Sequence, residues 1–170
     1  MWPSTLELQA LQPAHAHALQ LLMLALPGRD RRTRFGHAID DDALCGWIQR
    51  LPWNEQRAWG LWAGDDLGLV AALHLFDTAQ AHVCELAVVV HPRLRRRGLG
   101  SLLLHTAIAQ APDVHTLLCA HGHPFIRALS VRHCWPVTPW GLQAGWRVVV
   151  RRPVACALPD VCHAPVKSEV

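Results

Sequence analysis

The residues best placed to do chemistry lie between Val83 and Leu104, VCELAVVVHPRLRRRGLGSLLL. Within them Arg95-x-x-Gly98-x-Gly100 follows an apolar run that ends at His91-Pro92 and precedes the helical pattern that starts at Leu99. A strand, a basic glycine-bearing turn and a helix start in that order make an anion site. The first amides of a helix have no internal partner and sit at the positive end of its dipole. Glycine lets the backbone approach a phosphate, and arginines add fixed positive charge. A diphosphate is the natural guest. The spacing is neither G-x-x-x-x-G-K-[ST] nor G-x-G-x-x-G, which sets aside nucleoside triphosphatase and dinucleotide fingerprints. Arginines beside a glycine pair usually form a solvated turn; here the strand, the turn and the helix fall in register.

Glu85 is the lone acid of the run Val83 to Val90. A carboxylate inside an apolar strand is desolvated, which raises its pKa and suits it to accept a proton. The competing reading is a glutamate that faces solvent or pairs with an arginine. Other groups suggest a metal but lack its spacing. Cys119, His121 and His123 alternate along one strand, and His133-Cys134 follows the next helix, yet no C-x-x-C or H-E-x-x-H occurs. Asp40 to Asp42 suit the N-terminus of a helix better than a single cation. No metal is expected.

The elements that must position these groups follow from periodicity and breakers. Thr5 to Leu11 alternates as a strand, and Ala14 to Leu26 is an Ala- and Leu-rich helix ended by Pro27-Gly28. Arg29 to His37 reads as a basic loop and Ala43 to Arg50 as a second helix. Arg57 to Ala63 and Leu67 to Phe76 form a hairpin about Gly64-Asp65-Asp66, followed by the central strand Ala81 to Val90. Helix Leu99 to Ala111, strand Val114 to Ala120, helix Phe125 to His133 and strands within Trp140 to Val150 complete the order. Residues 1–152 read as one domain and Pro153 to Val170 as a loosely held tail.

Composition narrows the function classes. Half of the 170 residues are apolar and 17% are charged, as in a packed globule. The formal charge of +3 is concentrated in Arg29 to Arg34 and Arg93 to Arg97, without the broad aromatic-laced basic face of a nucleic-acid binder. No signal peptide and no stretch of about 20 apolar residues is seen, so a cytoplasmic protein with reduced cysteines is expected.

CELAVVVHPRLRRRGLG, with Val90-x-Pro92 ahead of Arg95-x-x-Gly98-x-Gly100 and leucines behind, resembles the acyl-CoA motif of the GNAT acetyltransferase superfamily. More narrowly it resembles the acetyltransferase domain of Pat-type protein lysine acetyltransferases, as does Arg32-x-Arg34-Phe35 after the first helix. The resemblance implies an α/β GNAT fold, a mixed twisted sheet of six to seven strands with about four helices, whose central strand splays from its neighbour. It implies acetyl-CoA as cofactor. The pantetheine arm would lie along Val88, Val89 and Val90, and the pyrophosphate on Arg95, Arg96, Arg97, Gly98, Leu99, Gly100 and Ser101, mainly through their backbone N–H groups. Glu85 would be the general base and a protein lysine or small amine the acceptor, with a homodimer possible. His123 would stand at the family's cofactor-side Asn, Ser130 at its Tyr acid and Cys134-Trp135 at its Gly-Phe. The chain has no tyrosine, so a tyrosine acid is excluded. Trp59, Trp62 or Trp140 could line the acceptor pocket, and His121 could supply another base. The altered residues leave a second possibility, a non-catalytic acyl-CoA sensor.

Overall fold

A computed structural model describes residues 5–64, 68–120, 124–141 and 145–150. Seven strands form one sheet in the order β1-β2-β3-β4-β5-β7-β6: β1 Leu6–Ala10, β2 Gln56–Ala63, β3 Gly68–Asp77, β4 Val83–Val90, β5 Thr116–Cys119, β6 Val137–Trp140 and β7 Gly145–Val149. The α-helices are α1 Ala16–Leu24, α2 Gly28–Phe35, α3 Asp41–Gln49, α4 Leu99–Gln110 and α5 Pro124–Arg132. Every neighbouring pair is antiparallel except β4 and β5, which run parallel around the α4 crossover.

Alternation along the strands builds two cores. Cys84 and Leu86 of β4 pack with Leu73 and Leu75 of β3 on Leu103, Leu104 and Ala107 of α4 and on Ile126 and Leu129 of α5. Val89 and Ala72 face the other way, onto Leu19, Leu22 and Met23 of α1 and Leu44 and Ile48 of α3. Each leucine-sized side chain removed from water contributes roughly 1.5–3 kcal/mol, so the central strands are fixed from both sides. Glu85 has the parity of Val89 and therefore lies on the α1 and α3 face.

Most expected elements are present, and the expected mixed α/β architecture is the observed one. The segment read as a basic loop is instead α2. Pro27 ends α1 but also stands as N-cap of α2, with Asp30 in its first turn and Arg32 and Arg34 in its last, which suits the helix dipole. Gly36 closes it in the left-handed region (φ 78°), its amide bonded to the Arg32 carbonyl at 2.8 Å. Asp40 caps α3, accepting from the Ala43 amide at 2.8 Å, so the aspartate run begins a helix as its position suggests. The last hairpin begins at Val137, before the expected Trp140. The proposed tail from Pro153 lies outside the described residues.

Candidate active site

Pairing between β4 and β5 stops early. Val83, Cys84 and Glu85 pair with Thr116, Leu117 and Leu118, whereas β4 continues to Val90 against β3 alone. The sheet is thus split beyond Glu85. The backbone groups facing the split follow from alternation. The His91 amide bonds to Val70 of β3 at 2.8 Å, so the odd-numbered peptide groups turn to β3 and the even ones turn away from it. The His82 carbonyl, which accepts from Thr116 at 3.1 Å, confirms that sense. Val88 and Val90 therefore present backbone to the split. Val89 is a correction: its peptide groups belong to the β3 ladder and its side chain to the α1 and α3 core.

Beyond Val90 the chain makes a 3-10 turn, Pro92–Leu94, whose buried Leu94 anchors it in the core. Arg96 and Gly98 both have positive φ, 62° and 83°. Gly98 is the N-cap of α4, and the Leu102 amide returns to the Gly98 carbonyl at 2.9 Å. The amides of Leu99, Gly100 and Ser101 then form the open first turn, pointing out of the helix. A Cβ on Gly98 would meet nothing within 4 Å, so the glycine serves the backbone conformation; on Gly100 it would stand 3.1 Å from the Phe125 ring of α5.

The arginines divide by role. Arg95 is turned inward: its Nε donates to the Val90 carbonyl at 3.2 Å and its Nη1 lies 2.7 Å from Asp30 Oδ2 of α2. Its guanidinium therefore braces the turn against α2. Arg93, Arg96 and Arg97 are exposed around the helix start. His91 sits among them, and burial first, then Arg93 and Arg95, hold its pKa below the ordinary value.

Glu85 stands where the split opens, the last β4 residue paired to β5 and half-buried. Opposite it on β3 is Phe76. Over Phe76 lies the guanidinium of Arg34 from α2, which also stands over Phe35 and Trp47. Burial lowers the Arg34 pKa, and Glu85 opposes that shift. His74 is buried, stacked on Phe76 at 5.6 Å, with Nδ1 2.8 Å from Gln56 Oε1. Desolvation and then Arg34 push its pKa down to about 3, so it is neutral at physiological pH. Cys119, at the end of β5, is buried, and burial with the nearby Glu85 pushes its thiol up to about 12. It is an inert thiol.

Several other candidates lie elsewhere. Ser130 is buried in the α5 interior and donates to the Ile126 carbonyl at 2.8 Å, so its hydroxyl is committed to its own helix. Trp59 belongs to the α4 face, where its Nε1 bonds to Gln110 Oε1 at 2.6 Å, away from Glu85. Trp62 packs edge-on to His15 beside α1, and Trp140 is exposed at the end of β6. His121 and His123 lie outside the described residues. Among the described residues no three potential ligands gather as a metal site. Arg34 was legible only as part of a motif, without a role, because its three rings come from α2, α3 and β3.

A sheet split beside a glycine-bearing anion turn defines a fold that receives an elongated ligand with a phosphate at one end. Comparison agrees: the model of the acetyltransferase (GNAT) family matches residues 4–123, and the chain belongs to that family. An acetyltransferase from Thermus thermophilus superposes with a TM-score of 0.66 at 20% identity, over 88% of this chain and 99% of that one. The GNAT domain of S. lividans PAT gives 0.63 at 15% identity, over 85% and 89%. Salmonella typhimurium yncA, solved with acetyl-CoA, gives 0.58 at 15% identity, over 92% and 99%. At these identities the likeness is one of fold, and it does not single out the Pat type. Comparison with curated protein sequences gives no match. No helix among the described residues is long and apolar enough to cross a membrane.

Proposed function

We propose that the chain is an N-acetyltransferase that moves an acetyl group from acetyl-CoA to a primary amine by direct attack in a ternary complex. One observation carries the reading: the half-buried carboxylate of Glu85 stands where the split opens, on the strand that leads into the anion turn. The residues fit the cofactor. The open first turn of α4 after Gly98 would take the pyrophosphate, and Val88 and Val90 would offer peptide groups to the amide-bearing arm. Acetyl-CoA supplies the acyl group: the amine nitrogen bonds to its carbonyl carbon, the C–S bond breaks, and CoA leaves as its thiol. Overall an ammonium and the thioester give an amide, CoA thiol and one proton.

The chain's own part is to orient and to move that proton. Glu85 accepts it from the ammonium, directly or through water, so that the nitrogen lone pair is free to attack. With Ser130 tied to Ile126, no side-chain acid is assigned to the leaving sulfur, which departs unaided or through water. The acceptor is a protein lysine or a small amine, and the setting we infer is cytoplasmic. The second reading, an acyl-CoA sensor, draws on that same commitment of Ser130. Calorimetry with acetyl-CoA and thiol release over an amine panel, on wild type and Glu85→Gln, separate them. The enzyme binds and turns over, and the variant binds without turning over. A sensor binds, and neither form turns over.

A further inference from the structure

Arg34 stands on the sheet face that carries Glu85, over its β3 partner Phe76, without a task in the transfer itself. Its guanidinium carbon lies 5.3 Å from the Phe35 ring centre, 5.4 Å from Trp47 and 5.8 Å from Phe76. Aromatic faces attract the charge of a guanidinium but leave its in-plane N–H donors without acceptors. Among the described residues Arg34 makes no ion pair and no side-chain hydrogen bond. His74, which feels the charge of Arg34, is engaged with Gln56. Glu85 acts on Arg34 electrostatically yet does not close on it as an ion pair. The three rings hold the cation in place, and Glu85 is held by a strand paired on both sides at that point.

A carboxylate and a guanidinium that share one sheet face without touching form a two-ended receptor. An ammonium fits the first end and an anion the second. The planar fork of arginine matches a carboxylate with two parallel hydrogen bonds, and a half-buried fork without acceptors gains most from such a ligand. We propose that the acceptor is a zwitterion, a small amine carrying a carboxylate beside its amino group as a free amino acid does. Arg34 binds its carboxylate, and its ammonium gives up a proton to Glu85. The amine then attacks the thioester with the balance already given. A lysine side chain in a protein has no anion fixed beside its ammonium and would leave Arg34 unmet. The inference rests on the transferase reading and narrows its acceptor.

The test uses the full chain with saturating acetyl-CoA and follows thiol release. The twenty free α-amino acids are each compared with the amine left by decarboxylation, and a lysine-containing peptide is included. At least one amino acid is expected to exceed its own amine by about 100-fold in kcat/KM, the scale of a buried charge contact. Arg34→Met keeps the stem between the rings and should abolish that ratio. Arg34→Lys, which keeps the charge but not the fork, should lose most of it. Thermal midpoints and acetyl-CoA affinities of both variants report whether the fold is intact. Equal rates for amino acids and amines, a peptide preferred over every amino acid, or a ratio that survives in a folded Arg34 variant would overturn the proposal. Acetyl-CoA binding with no acceptor turned over would instead overturn the transferase reading, and this proposal with it.

Discussion

The two ends of the split are built of different material. At the anion turn the groups on offer are amides, set by Gly98 and by the first turn of α4, and the Arg95 side chain serves as a brace. At the proposed acceptor end they are side chains, Glu85 and Arg34, aimed by residues from four elements. A backbone site tolerates side-chain loss and fails when the backbone is strained. A side-chain site behaves in the opposite way. On the proposed function, the protein would hold its common ligand with generic groups and its particular one with specific groups.

Several substitutions would break or sharpen that contrast. Glu85→Gln should lower kcat by roughly 10²–10⁴-fold with the acetyl-CoA dissociation constant unchanged, measured by thiol release and calorimetry. A parallel loss of cofactor affinity would merge the two ends into one site. Gly98→Val forces a β-branched residue to φ 83°, costing about 1–3 kcal/mol, and should weaken acetyl-CoA about 10- to 100-fold. Gly98→Asn, which tolerates that region, should recover much of the loss.

The acceptor end should also carry a pH signature in stability. His74 has its pKa lowered to about 3 by burial, so between the ordinary value near 6.5 and about 3 the unfolded chain binds the extra proton. Stability then rises with pH across that window and falls on acidification, by at most about 1.4 kcal/mol per pH unit for one group. In urea titrations at stepped pH, His74→Gln should flatten that slope. Smallest of all, Arg96→Ala at the exposed rim should weaken acetyl-CoA by less than about fivefold, an effect that fades with added salt. A loss as large as that of Gly98→Val would show that side chains carry the anion turn after all.

What could be read from the sequence follows the same division. The anion turn was visible because its signals are local: Pro92 ends a strand, Gly98 starts a helix, and both lie within a dozen residues. The sheet order followed from alternating and helical periods. The α2 helix was missed because Pro27-Gly28 reads as a stop when it is also a start, and eight residues so rich in charge have no apolar period. The Arg34 cage was illegible for a deeper reason: Phe35, Trp47 and Phe76 meet only after the helices dock on the sheet. Trp59 and Ser130 show the converse: parity on β2 turns the first into the core, and the inward face of α5 buries the second.

Asp30 and Arg34 lie four residues apart and so share one face of α2. Through Asp30 that face is bolted to Arg95 at the anion turn, and through Arg34 it reaches the acceptor end. A short helix thus reaches both proposed seats and can couple them, and any such coupling is reciprocal. Whatever acetyl-CoA does to the affinity for the acceptor, the acceptor must do by the same factor to the affinity for acetyl-CoA. Asp30→Asn would loosen the bolt, and the cooperativity between the two ligands would shrink while each still bound alone.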